Sequence, residues 1–327
     1  MKMNSKRIGA IILCLIIILI NALIPKRENE DFKNTFDNML SDKSYENIIK
    51  AGTNGKILKL SLEGVIADDG KNYLQDNSNS YSVLIKSLDR AISDDEIRGV
   101  YFFVNSPGGG VYESSEIRKR ILKLKEKNIP IYVQMGTICA SGGVYITSDA
   151  DKIYAHPETL TGSIGVIMQS MNFSGLMEKY GVKAVTVKSG KNKDMLSPYK
   201  EPSSEELEIV QDFINSSYDR FVDIVANGRE LSKEEVKKFA DGRIYSAQKA
   251  LEYKMIDKIG DEEDSLNALT HDNHLEDASI IEYSYNSLPF LDFLKYIPNE
   301  KSDLESIKSI ISSRENADRP FMIYGGI

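Results

Sequence analysis

Ser141 stands in the segment TICASGGVYIT, residues 137–147, after a run of small residues and directly ahead of Gly142 and Gly143. A serine hydroxyl becomes a nucleophile only when a base takes its proton and backbone N–H groups hold the oxyanion that forms. A second glycine turn, NSPGGG at residues 105–110, can supply such groups, because glycine lets a backbone amide approach a ligand closely. One amide from Gly108 or Gly109 and one from Gly142 would make an oxyanion hole, and a short helix starting beside Ser141 would add its positive end. Either turn alone reads equally as a plain tight turn. Neither has the GxxxxGK[ST] order of a phosphate loop or the spacing of GxGxxG.

The base is less obvious. The chain holds three histidines, His156, His271 and His274. His271 and His274 lie in the acidic stretch THDNHLED, which reads as a solvated loop, and His156 precedes Pro157 at the end of an apolar stretch. Lysine is the other option. At its ordinary pKa near 10.4 it is neutral in only about one molecule in 2,500 at pH 7, and a value lowered to roughly 8 by burial makes it about a tenth neutral. The segment VTVKSGKNKDMLSPYKEPSS offers Lys188, Lys191 and Lys193 around a glycine turn, and composition does not choose among them. Cys139, beside the ASGG motif, reads as a small buried residue, and Cys14 lies in an apolar run too far off to pair with it.

The elements that must position these groups follow from periodicity. Ile57, Leu58, Leu60 and Leu62 mark a first strand ending at Gly64, and Val83, Leu84, Leu88 and Ile92 mark a helix over about 81–92. Residues 99–104 form a nearly continuous apolar strand of the kind buried on both faces of a parallel sheet. Ile117, Ile121 and Leu124 place a helix after the glycines, PIYVQM gives the strand that leads to Ser141, and a short helix runs through Tyr145 and Ile146. Further strands are expected at KIYA, SIGVIMQ and VKAVTVKS, and from residue 204 Leu207, Val210, Ile214, Tyr218, Phe221 and Val225 trace one long helical face. The alternation predicts an α/β layered fold, with the glycine turns at the C-terminal ends of strands where sites of open sheets form.

The chain of 327 residues has a net charge of −8, with lysines interleaved among acidic residues, which excludes a nucleic-acid partner. Residues 1–25 read as a signal anchor: Lys2, Lys6 and Arg7 precede the uncharged run 8–24, whose 17 residues approach the length of a membrane span. The expected organisation is that anchor, a polar tether over 26–54, a core domain over 55–265 and a C-terminal extension over 266–327, whose last residues, RPFMIYGGI, read as a possible edge strand. The basic residues before the run predict a single-pass protein in the cell membrane with its domain on the extracytoplasmic face. Neither a cofactor nor a metal is expected, since no His/Cys/Asp cluster has ligand spacing.

Three motifs in order, VNSPGGGVYESSEI, ASGGVYITSDADKIYAHPETLTGSIGV and SGKNKDMLSPYKE, resemble the signal peptide peptidase A family of membrane-bound serine peptidases. The resemblance covers about residues 55–265 and implies a Clp-protease/crotonase-type fold of repeated ββα units. It implies a Ser/Lys dyad with Ser141 as nucleophile and Lys193, the lysine directly before Asp194, as base. It also implies a role for Ser163 of TGSIGV in orienting that lysine, and an oxyanion amide from the SPGG glycines. One copy of the domain implies a ring-shaped homo-oligomer in which Lys193 of one subunit meets Ser141 of the next. His156 departs from the family pattern. The function so implied is a membrane-anchored endopeptidase that degrades released signal peptides and other short or unfolded membrane-derived peptides through an acyl-enzyme. Its rivals are a crotonase-type acyl-CoA enzyme and a catalytically inactive peptide-binding regulator.

Overall fold

The computed structural model describes residues 44–68, 80–285 and 321–323. The chain divides into two compact units, one of residues 1–45 and 285–298 and one of residues 46–284 and 299–327. The second holds nearly all the described residues. The anchor expected over 8–24 lies outside the described residues, among which no helix is long and apolar enough to cross a membrane.

Chain order is β1 (Ser44–Lys50), β2 (Lys56–Glu63), α1 (Ser80–Ser93), β3 (Ile97–Ser106), β4 (Gly108–Gly110), α2 (Val111–Glu126), β5 (Ile131–Ala140), α3 (Gly142–Thr147), β6 (Lys152–Ala155) and β7 (Leu160–Gly162). There follow α4 (Ser174–Lys179), α5 (Ser204–Gly228), α6 (Lys233–Lys237), β8 (Ile244–Ser246), α7 (Ala247–Glu252), β9 (Lys258–Ile259), α8 (Glu262–Asp272), β10 (Ser279–Tyr285) and β11 (Phe321–Ile323). The main sheet runs β1-β10-β2-β3-β5-β6-β9, with β7 pairing the end of β5 and β8 pairing β7.

At its centre β2, β3, β5 and β6 are parallel, in a register that sets Leu58 opposite Val100 and Phe102 opposite Val133. Val100, Tyr101, Phe102 and Val104 are all buried, as a strand covered on both faces requires. Alternate residues Ile57, Tyr101 and Tyr132 meet Leu269 of α8 in one cluster, so α8 closes that face. The apolar stripe of α2, Ile117, Ile121 and Leu124, is buried as its spacing predicts, and α2 packs on α1.

The sequence reading and the structure differ in four places. Residues 44–50, assigned to the tether, form β1, and the extension assigned to 266–327 supplies most of α8 and all of β10. SIGVIMQ carries only an isolated bridge residue and VKAVTVKS forms no strand. A strand needs a neighbouring edge for its backbone groups, and the described residues offer none there; Val185 and Val187 are 90% and 97% exposed. The long face of α5 is buried only in its C-terminal half, where Phe221, Val222 and Val225 enter the core, whereas Leu207 and Phe213 stay exposed.

Candidate active site

Strand β5 ends at Ala140 and helix α3 begins at Gly142, which leaves Ser141 as the corner between them. Its backbone has φ 53° and ψ −115°, in the left-handed half of the map that a residue with a Cβ seldom occupies. Such a conformation costs on the order of 1–3 kcal/mol and persists only where the surroundings over-determine it. They do so here: the Ser141 N–H donates to Gly162 O at 2.7 Å, and the Ser141 carbonyl accepts from Tyr145 N at 3.0 Å. The corner therefore holds the hydroxyl at the strand end. The Ser141 side chain is buried, and its Oγ has no hydrogen-bond partner among the described residues.

The second glycine turn lies alongside. Ile66 N donates to Gly108 O and Gly110 N donates to Ile66 O, both at 2.8 Å, so one edge of β4 is taken by Ile66. Backbone groups alternate along a strand, and the N–H and C=O of Gly109 consequently face the other edge. There β11 pairs with β4 antiparallel, Met322 opposite Gly109. The Gly108 N–H is already engaged by Ser106 Oγ at 3.1 Å. Of the two glycines left open by the sequence, Gly109 is thus the one whose N–H points to the edge of β4 on which β11 pairs.

Close approach explains why these positions are glycine. A Cβ on Gly109 would stand 2.0 Å from Ile66 O, and one on Gly142 would stand 2.8 Å from Ser114 Oγ and 3.1 Å from Gly109 N. Gly142 and Gly109 are therefore near neighbours, and as the first residue of α3 Gly142 has no acceptor for its N–H within the helix. Because α3 is only six residues long, the electrostatic contribution at Ser141 comes from these local N–H groups rather than from a long helix dipole. Ser106, not singled out by the sequence reading, supports the turn through the Gly108 N–H, and a serine closing the apolar strand just before PGGG was the available signal for it; Ser114, also not singled out, stands against Gly142 with its Oγ buried.

Ser163 adjoins the corner, since β7 pairs β5 with Gly162 opposite Ala140. It too has a positive φ, 51°, and its N–H donates to Arg243 O at 2.7 Å. Cys139 is fully buried and burial pushes its thiol up to about 12, which suits a packed residue and not a thiolate nucleophile.

The lysines separate by their partners. Lys188 Nζ lies 2.6 Å from Asp194 Oδ1 and 2.8 Å from the Lys191 carbonyl. Lys200 Nζ reaches Asp194 at 3.0 Å and also pairs with Glu206, while Lys191 pairs with Glu205. The lysines facing Asp194, Lys188 first and Lys200 next, hold its carboxyl below the usual range. Glu206 first and Asp194 next hold the Lys200 ammonium above its usual range. Lys193 is exposed and, among the described residues, makes no ion pair. The chain by itself does not join Lys193 to Ser141. Nor do the histidines approach it: His156 is exposed with Nδ1 accepting from Glu158 N at 3.2 Å, and His271 Nδ1 lies 3.4 Å from Glu276.

Comparison with known proteins gives the chain its relatives. Peptidase family S49 matches residues 123–276. A protein named signal peptide peptidase SppA in Enterococcus faecium is 39% identical over 346 residues, spanning 99% of this chain and 100% of that protein. The chloroplastic serine protease SPPA of Arabidopsis thaliana is 29% identical over 178 residues, 54% of this chain and 26% of that protein. Among solved structures, a ClpP1 point mutant from Listeria monocytogenes overlaps 64% of this chain and 94% of its own length, with a TM-score of 0.43 and 20% identity. With the full-length match to SppA and the S49 region enclosing Ser141, Ser163 and Lys193, the chain belongs to the signal peptide peptidase SppA group of peptidase family S49.

Proposed function

We propose that this chain is a serine endopeptidase working through Ser141 and Lys193, with the oxyanion held by Gly109 and Gly142. The observation that carries this reading is the strained Ser141 corner, with its unpartnered Oγ beside two amides that only glycine can bring together. Lys193 Nζ takes the Ser141 proton as Oγ bonds to the peptide carbonyl carbon, and the oxyanion that forms is stabilised by the two N–H groups. The protonated lysine then gives its proton to the leaving amine, and the C–N bond breaks. Water, deprotonated by the same lysine, attacks the acyl-enzyme and releases Ser141. Ser163, directly after β7 and beside the Ser141 corner, orients the lysine.

The substrate is an extended peptide. Support comes from β4, whose open edge pairs in this structure with residues 321–323 as an antiparallel strand, the way a peptide backbone would lie along Gly108–Gly110. Released signal peptides and other short or unfolded apolar segments fit such backbone recognition. The strand–helix order from β2 to α3 is read as the ββα repeats of a Clp-protease/crotonase-type domain over residues 55–265. The run 8–24 anchors it in the cell membrane, with the domain on the extracytoplasmic face.

The dyad is completed between copies of the chain in a ring. Two features support this: Ser141 Oγ is unpartnered, and Lys193 follows an exposed apolar segment containing Val182, Val185 and Val187. A closed ring repeats one contact between successive subunits, so every Ser141 meets a neighbour's lysine. Mixing subunits tests it. Ser141→Ala and Lys193→Ala should each be inactive alone on an unfolded apolar peptide. Dissociated and reassembled together at equal amounts, they should regain activity at about a quarter of the sites, for random neighbours in the ring. If the mixture stays dead while reassembled wild type is active, the dyad forms within one chain. If Lys193→Ala cleaves alone, the base is misassigned.

A further inference from the structure

A cavity opens at the C-terminal edge of the sheet, on the α8 face. It encloses about 520 Å³ and is lined by Phe103, Gln134 and Met135 inside and by His156, Glu158 and the acidic start of α8 at its mouth. We propose that this cavity binds the guanidinium or ammonium head of a basic side chain.

Gln134 carries the argument. It is 2% exposed, and its Nε2 donates to the carbonyls of Met135 at 3.1 Å and Gly260 at 3.2 Å. Turning the amide over would set Oε1 against two carbonyl oxygens, so the two donors fix its orientation. Oε1 has no hydrogen-bond partner among the described residues. A buried acceptor on the wall of a cavity calls for a ligand that donates.

The charge at the mouth says which donor. Asp261 caps α8, its Oδ1 accepting from Asp264 N at 3.0 Å, and Glu262 lies 3.7 Å from Lys59. Glu158 and Glu263 make no ion pair among the described residues. His156 Nδ1 accepts from Glu158 N at 3.2 Å. A negative mouth over a buried acceptor repels anions and favours a cation. A metal does not fit, because among the described residues no three His, Cys, Asp or Glu side chains are grouped to hold one. Phe103 gives an apolar wall for an alkyl stem and a ring for a guanidinium to stack on.

The cavity is also close enough to matter for an extended peptide. Thr137 at its rim precedes Ser141 by four residues on the same strand, roughly 13 Å at about 3.3 Å per residue. Use of the cavity by a substrate rests on the peptidase reading above; binding of a cation does not.

The test uses the full chain, with argininamide and its uncharged isostere citrullinamide as probes, followed by calorimetry. Expected is binding of argininamide with citrullinamide about tenfold weaker or worse, and a loss of about tenfold or more in Glu158→Gln/Glu263→Gln and in Gln134→Met. The carboxamide double variant should cleave an uncharged peptide as wild type does, which shows that it is folded. Peptides carrying one arginine or one citrulline at stepped positions form the second arm. There the arginine should lower KM without changing kcat, in wild type alone. If a peptide arginine is bound and argininamide is not, with loss in the same variants, the site takes substrate side chains. Equal binding of charged and neutral probes, or binding unchanged in the double variant, overturns the proposal even if Ser141-dependent cleavage is intact. Selective argininamide binding by a chain that cleaves nothing would keep the site and sink the peptidase reading.

Discussion

Ser141 and Lys193 sit in two regions built by opposite means. Around Ser141 every residue of α3 from Gly142 to Thr147 is buried, the corner is tied to β7 by a backbone hydrogen bond, and glycines sit where any side chain would collide with the neighbouring backbone or with Ser114. Between residues 166 and 203 the chain has one short helix, exposed valines and a set of ion pairs centred on Asp194. The first region is specified by core packing, so one chain is enough to build it. The second exposes apolar side chains that a single chain leaves in water, and Lys193 within it forms no ion pair with the described carboxylates. The Ser141 corner is thus preorganised within the fold. The surroundings of Lys193 depend on what covers the segment, which is why a second copy is proposed.

The sharpest break of that contrast is chemical. Ser141→Ala should lower peptide cleavage by roughly 10⁴-fold or more, with Lys193→Met close behind and Lys188→Met far smaller. Equal losses at Lys188 and Lys193, measured as kcat/KM, would remove the distinction drawn from their ion pairs.

Next in size come the glycines. Gly142→Ala places a Cβ 2.8 Å from Ser114 Oγ and 3.1 Å from Gly109 N, and should cost about 10²- to 10³-fold in kcat by displacing an oxyanion donor. Because one of the close contacts is a serine side chain, adding Ser114→Gly should restore part of the rate. Rescue by the double variant, read as kcat at saturating peptide, would place the strain at that contact.

Stability should separate the regions more gently. Ile121→Ala, in the buried stripe of α2, is expected to cost about 2–5 kcal/mol by denaturant unfolding. Val187→Ala should change it by less than about 0.5 kcal/mol in the dissociated chain while weakening assembly in sedimentation. A large loss of unfolding free energy at Val187 in the dissociated chain would mean the segment is packed after all.

The smallest effect is acid sensitivity. Lys188 and Lys200 lower the Asp194 carboxyl, and Lys200 with the Ser203 N–H lowers that of Glu206. A depressed carboxylate contributes stability that is present above its ordinary value, roughly pH 4, and is lost as pH falls through the lower folded value. Hydrogen exchange over 188–206 should therefore be flat from neutral pH downward and loosen only below about pH 4. The Ser141 corner has no such carboxylate in its described hydrogen bonds and should not follow.

Much of the fold was legible because periodicity reports burial. The alternation in β2, the continuous apolar run of β3 and the helical spacing in α1 and α2 each match the element found. The same reasoning places strands at SIGVIMQ and VKAVTVKS, where apolar residues are present but no edge among the described residues pairs with them as a strand. Apolarity records that a surface will be covered, not by what. At the site, the residue types around Ser141 were readable and the family resemblance singled out Lys193, whereas the direction of the Gly109 N–H turned on Ile66 and the Ser106 hydroxyl, and the ion pairs of Lys188 and Lys191 on which carboxylates stand near them.

The sequence by itself determined the Ser141 turn, the glycines beside it and the family, because these depend on residue type and order along a few contiguous motifs. The tertiary structure alone decided that the Ser141 backbone is held at φ 53° and that Gly109 rather than Gly108 turns its N–H to the edge of β4 on which β11 pairs. It also decided that Lys188, Lys191 and Lys200 are ion-paired while Lys193 has no such partner among the described residues. Those facts depend on hydrogen bonds and charges contributed by distant segments, and no local pattern encodes them.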